Sequence, residues 1–138
     1  MVGGPARELS LDLELPAVAE SCPRARQAVR AALAPVPIDH AAVDLAVSEA
    51  VANAVVHAYR DRADGEPGLV RVAVAVEAES AWVTVADRGS GLRPRPDSPG
   101  LGFGLALIAT MCDELEIEQG DDGTRVHMRF ERRRPEQR

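Results

Sequence analysis

The chain has 138 residues, 46% of them hydrophobic but only 3% aromatic, with a formal net charge of −6. That is one domain with a core of Val, Leu and Ala, and it excludes a disordered chain. The acidic balance speaks against a nucleic-acid binder, which needs clustered Lys and Arg to meet phosphates, and no segment approaches the roughly 20 apolar residues of a membrane span.

Met1 to Arg7 holds no apolar run, so no signal peptide is expected. Leu9, Leu11, Leu13 and Leu15 alternate with Ser10, Asp12 and Glu14, which predicts a half-buried strand ended by Pro16. Pro23 suits the first turn of a helix running to about Leu33, with Ala25, Ala28, Val29, Ala32 and Leu33 on its apolar face. Pro35 and Pro37 break that helix, and Asp39 is the expected N-cap of a second one, which continues to His57. A polar loop follows from Arg60 to Gly68.

Val70, Val72, Val74 and Val76 then mark a second strand. Glu77 to Ser80 turns the chain, and Trp82 to Ala86 makes the other half of a hairpin. Asp87 to Gly100 reads as loop, and a third helix is expected from about Gly102 to Met111. Leu115 and Ile117 mark a fourth strand. Gly120 to Gly123 turns it back into a fifth, where Thr124, Val126, Met128 and Phe130 alternate with Arg125, His127 and Arg129. The ordered core is expected over about 9–130, with a basic tail at 131–138. Cys22 and Cys112 have no metal-ligand spacing and read as reduced thiols of a cytoplasmic protein. Strands with one dry and one wet face, interleaved with helices, predict a single α+β domain. It is a two-layer sandwich: a mostly antiparallel mixed sheet covered on one face by helices.

Four stretches carry chemistry. In Ser48-Glu-Ala-Val-Ala-Asn-Ala-Val-Val-His-Ala-Tyr59, Glu49 and Asn53 are four residues apart and share one stripe of an otherwise apolar helix, extended by His57. Polar groups on a buried-type helix line a site or waste solvation energy. In Val85-Ala-Asp-Arg-Gly-Ser-Gly-Leu92, Asp87 follows directly on a strand, and Gly89 and Gly91 permit a tight turn. An acid there can accept from an exocyclic amine; taken alone, a solvated loop Asp serves as well. Gly100-Leu-Gly-Phe-Gly-Leu-Ala-Leu-Ile108 runs a glycine-rich loop into a helix, where backbone N–H groups suit an anion. It has neither P-loop nor Rossmann spacing. In Asp122-Gly-Thr-Arg-Val126, Thr124 opens a strand on the inward face.

The order and spacing of these four stretches resemble the Bergerat-fold (GHKL) ATP-binding domain, and the acid/Asn helix is most similar to the RsbW-like anti-sigma factor serine/threonine kinases. The resemblance runs from Leu9 to about Phe130. It implies ATP and Mg²⁺ as cofactors, with Asn53 holding the metal through its amide oxygen. Glu49, about 6 Å along the helix axis, is implied as general base on a protein hydroxyl. Asp87 is implied to read the adenine amine, Gly89 and Gly91 to shape the base pocket, and Gly100, Gly102 and Gly104 to wrap the phosphates. Leu105 would pack the helix behind them, and Thr124 would support the adenine end. His57 matches the pattern without a chemical step. Arg93 and Arg95 lie in the segment that forms a lid in this superfamily. Either can meet the terminal phosphate or remain a solvated loop charge.

The implied function is a cytoplasmic protein serine/threonine kinase that is also an anti-sigma factor. Its partners are a sigma factor and an anti-anti-sigma antagonist that it phosphorylates, in a chain expected to be a homodimer, with no direct nucleic acid and no membrane. The alternative is a regulatory module that binds nucleotide without transferring phosphate. A histidine-kinase catalytic domain fits less well: only eight residues, Leu92 to Pro99, separate the glycine motifs, and there is no room for an acceptor-His helical region.

Overall fold

The computed structural model describes residues 8–58, 68–88 and 100–133, apart from the side chains of 57, 58 and 100–104. Five strands and three α-helices follow in the order β1 (Leu9–Pro16), α1 (Ser21–Leu33), α2 (His40–Asn53), β2 (Leu69–Val76), β3 (Ser80–Asp87), α3 (Gly100–Met111), β4 (Glu114–Gly120) and β5 (Gly123–Glu131). The strands form one sheet in the order β1-β2-β3-β5-β4. Every pairing in it is antiparallel, so among the described residues the sheet is not mixed.

Alternation in the sequence becomes a two-faced sheet because side chains in a strand point to opposite sides with a period of two. The register stacks Leu13, Val72, Val85, Val126 and Ile117 across the five strands on one face. Val74, Val83 and Met128 form the next row. The helices cover this face. Ala25, Val29 and Leu33 of α1, Val43, Ala46, Val47, Ala50 and Val51 of α2, and Ile108 of α3 are all buried against it and each other. α2 lies in the middle of the helical layer, packed on α1 and α3 as well as on β3. Small Ala and Val side chains let these layers approach closely, which is how a core with so few aromatics fills.

Helix ends follow their local chemistry. Asp39 caps α2 as expected, its carboxylate accepting from the Ala42 backbone N–H at 3.1 Å. Its other oxygen lies 3.2 Å from Arg133 Nη2, which ties the cap to the chain leaving β5. α1 starts two residues earlier than Pro23 suggested. The Glu20 side chain makes no capping bond, and the Ser21 hydroxyl instead donates to the Pro16 carbonyl at 2.6 Å, holding the helix entry to the end of β1. Pro23 still falls in the first turn. The fourth strand is an edge strand, which is why Ile117 remains 39% exposed despite its apolar alternation.

Candidate functional site

α2 ends in a change of winding. From Ala54 to Ala58 the chain is π-helical, and the Ala54 N–H reaches both the Ala50 and Val51 carbonyls. Single π-turns inside helices carry a cost and concentrate at functional sites. This one follows directly on Asn53, and it packs against β3. The sequence pattern signalled none of it, since a π-turn leaves the 3.6-residue apolar stripe almost intact.

Asn53 is 9% exposed, and its Nδ2 is buried with no hydrogen-bond partner among the described residues. Buried amide donors are normally satisfied, so an orphan of this kind marks either strain or a missing ligand. One turn earlier, Glu49 is half-buried. Beside it, the Ser48 hydroxyl accepts from Arg26 Nη1 at 3.1 Å, and Arg30 pairs with Asp44 further along the same α1–α2 seam. The apolar flanks of α2 are in the core, while its polar stripe keeps Glu49 accessible.

A second group of site residues closes the covered face of the sheet. The row that begins Leu15–Val70 runs on through Asp87 and Thr124, which face each other across β3 and β5, to Gln119 of β4. Asp87 is buried, and Thr124 is 1% exposed with an Oγ1 that has no partner among the described residues. A cavity of about 620 Å³ opens at this end of the sheet on the helix-free face, where Glu14, Arg71 and Arg125 line it, and it reaches Asp87, Gly123 and Thr124 at the sheet's end; among the described residues none of α2 lines it. The structure thus pairs Asp87 with Thr124 across adjacent strands. α2 and its π-turn contact the strand that ends in Asp87.

The third helix starts two residues before the expected Gly102: Gly100, like Gly102 and Gly104, lies within α3. A glycine in a helix costs about 1 kcal/mol relative to Ala, so the first turns of α3 are weakly held by intrinsic propensity. Leu105 is half-buried against the core behind them. Gly89, Gly91, Arg93 and Arg95 lie outside the described residues, as does the side chain of His57.

Gly123 belongs to the fourth stretch of the resemblance, where it was given no role beyond the turn. Its φ of +128° is the only positive value outside the usual range among the described residues. Cys22 and Cys112 are free. Burial raises both thiols above their ordinary range, so neither is primed as a nucleophile. Among the described residues no three His, Cys, Asp or Glu side chains cluster as a metal cage, and no helix is long and apolar enough to cross a membrane.

Comparison with known proteins adds four findings. Residues 15–130 match the family model described as the histidine kinase-like ATPase domain. The chain is 32% identical over 96 residues to the anti-sigma F factor of Clostridium beijerinckii, which covers 61% of this chain and 65% of that protein. It is 29% identical over 137 residues to the anti-sigma F factor of Clostridium botulinum (strain Alaska E43 / Type E3), covering 88% of this chain and 94% of the relative. The fold is also similar to a solved structure of the RsbU and RsbW domains of Rv1364c from Mycobacterium tuberculosis. There the TM-score is 0.68 and the identity 28%, covering 91% of this chain and 33% of that one. The chain therefore spans less than two thirds of the length of the C. beijerinckii relative and one third of the mycobacterial chain.

Proposed function

The chain belongs to the histidine kinase-like ATPase domain family, and from that premise we propose that it is an RsbW-like anti-sigma factor that uses Mg-ATP to phosphorylate a serine or threonine of an anti-anti-sigma antagonist. One observation carries the reading: a buried Asn53 whose amide nitrogen has no hydrogen-bond partner among the described residues, one helical turn from the half-buried Glu49. A pure packing helix has no reason to hold either group there.

The residues present suit the nucleotide. Asn53 offers an amide oxygen, a hard donor appropriate to Mg²⁺, which keeps most of its shell for phosphate and water rather than for protein. Asp87 offers a carboxylate acceptor to the exocyclic amine of adenine. The Thr124 hydroxyl, otherwise unsatisfied, gains a partner at the same end. Bound Mg-ATP supplies the γ-phosphoryl group. Glu49 accepts the proton of the incoming protein hydroxyl, and the backbone N–H groups at the start of α3 face the phosphates. The reading also assigns the base to Gly89 and Gly91 and the terminal phosphate to Arg93, which lie outside the described residues. Phosphorylation adds charge to the antagonist and opposes its docking, which releases the kinase to hold a sigma factor. The setting is the cytoplasm, and the working unit is a homodimer.

The test uses labelled ATP, Mg²⁺ and the cognate antagonist. The wild-type chain is expected to label the antagonist on Ser or Thr. Glu49→Ala is expected to keep nucleotide binding but lose transfer by about 10²–10⁴-fold, the usual contribution of a general base. A wild-type chain that binds ATP tightly and labels nothing establishes instead the alternative, a regulatory module without phosphotransfer.

A further inference from the structure

We propose that Gly123 is a positioning residue for nucleobase recognition: having no Cβ, it lets the β4–β5 turn close onto the Asp87–Arg88 peptide and so sets the Asp87 carboxylate at the end of the sheet. This rests on the reading of Asp87 as acceptor for the adenine amine.

A Cβ built on Gly123 would stand 1.9 Å from the Asp87 carbonyl oxygen, 2.7 Å from Arg88 Cα and 2.8 Å from the Asp87 carbonyl carbon. All three are backbone atoms, so no side-chain rotation relieves the overlap. The φ of +128° adds a second constraint, because an L side chain rarely adopts it. Gly120, across the same turn, is different. Its Cβ would meet only the Asp122 Oδ1 at 3.1 Å, the tip of a side chain in a turn. One glycine of this hairpin is therefore demanded by the neighbouring strand and the other is not.

The neighbouring strand is the one that matters to the site. Asp87 pairs in register with Thr124, the residue after Gly123. A side chain at 123 must push the Asp87–Arg88 peptide away from β5. The Asp87 carboxylate moves with it, relative to the buried Thr124 hydroxyl. Hydrogen bonds weaken steeply with misalignment, so the contact to a base amine is lost before the fold is.

The experiment measures affinity for ATP and for purine riboside triphosphate, which lacks only the exocyclic amine, both with Mg²⁺. The wild type is expected to prefer ATP by about tenfold or more, as sites built to bond a polar group reject the analogue lacking it. Gly123→Ala is expected to lose about tenfold on ATP and less than about twofold on the analogue, so that the preference collapses. Gly120→Ala is expected to retain it. Equal losses on both nucleotides, or an undiminished preference, overturn the positioning role while leaving the reading of Asp87 intact. A wild type with no preference overturns that reading and the proposal with it. Should Gly123→Ala fail to fold, the same comparison is made in the double variant Arg88→Gly with Gly123→Ala, where a glycine at 88 lets the peptide swing clear. The double variant is expected to fold with the ATP preference lost, whereas Arg88→Gly alone retains it. A double variant that keeps the preference overturns the proposal.

Discussion

The two faces of the sheet are held by different physics. On the covered face Val70, Val72, Val74, Val83, Val85, Met128 and Phe130 are buried under three helices. On the other face the strands are linked by polar cross-strand contacts. Arg71 reaches Asp12 through two bonds of 2.7 and 2.6 Å, and Arg129 donates to Glu114 at 3.0 Å. His127 bridges the Thr84 hydroxyl at 2.8 Å and the Glu118 carboxylate at 2.7 Å. With the ring proton on Nε2 facing the carboxylate, Nδ1 is left to accept from Thr84. Apolar burial is worth far more than exposed ion pairs of this kind. The first face therefore holds the fold, while the second steadies the register. The candidate site sits where the covered face runs out, at the point where an apolar row gives way to Asp87 and Thr124.

That contrast is open to attack from its strong side first. Met128→Ala removes a fully buried side chain from the covered face and is expected to cost about 2–5 kcal/mol in denaturant unfolding; a cost near that of a surface substitution would remove the distinction between the faces. Asn53→Ala probes a polar group on the same covered side. Its amide nitrogen has no partner to strand among the described residues, so the loss of stability is expected to stay near about 1 kcal/mol. The rise in melting temperature produced by Mg-ATP should vanish. A variant that unfolds instead marks Asn53 as a core residue.

On the open face the effects shrink to titrations. The hydrogen bond from His127 holds the Glu118 carboxyl below its ordinary range. A lowered folded-state pKa gives stability that is present above the unfolded value and fades as pH falls through the folded one. That contribution therefore belongs to the acid side of the usual glutamate range. His127→Ala should return the Glu118 titration, followed by NMR, to its ordinary position, and an unmoved titration would break the assignment. Smallest of all, Arg71→Gln should let the Asp12 carboxyl rise from its lowered position, since the hydrogen bond from Arg71 is what depresses it. The unfolding midpoint should barely move and should lose only a little of its salt dependence.

Much of the molecule was legible in the chain. The period-two runs at 9–15, 70–76 and 124–130 specify strands and their buried sides, because a one-residue slip turns every apolar side chain outward. Asp39 marked the start of α2 through a single local hydrogen bond. Glu49 and Asn53 were found because their spacing is a property of one helix.

Less visible were features made by contact between segments distant in sequence. The insertion of β5 between β3 and β4 depends on which strands find each other, and no local pattern encodes that. Gly100 read as the end of a loop from composition, yet it is helical in the fold. The π-turn after Asn53 leaves no trace in a stripe of Ala and Val. Gly123 looked like ordinary turn chemistry until the Asp87 carbonyl was seen to occupy the place of its side chain. The sequence alone determined the elements, their buried faces and the chemical types in the site, since those follow from periodicity and local bonding. Which strands became neighbours, and how closely backbone meets backbone beside Asp87, was decided only by tertiary packing, because excluded volume between remote segments has no period to read.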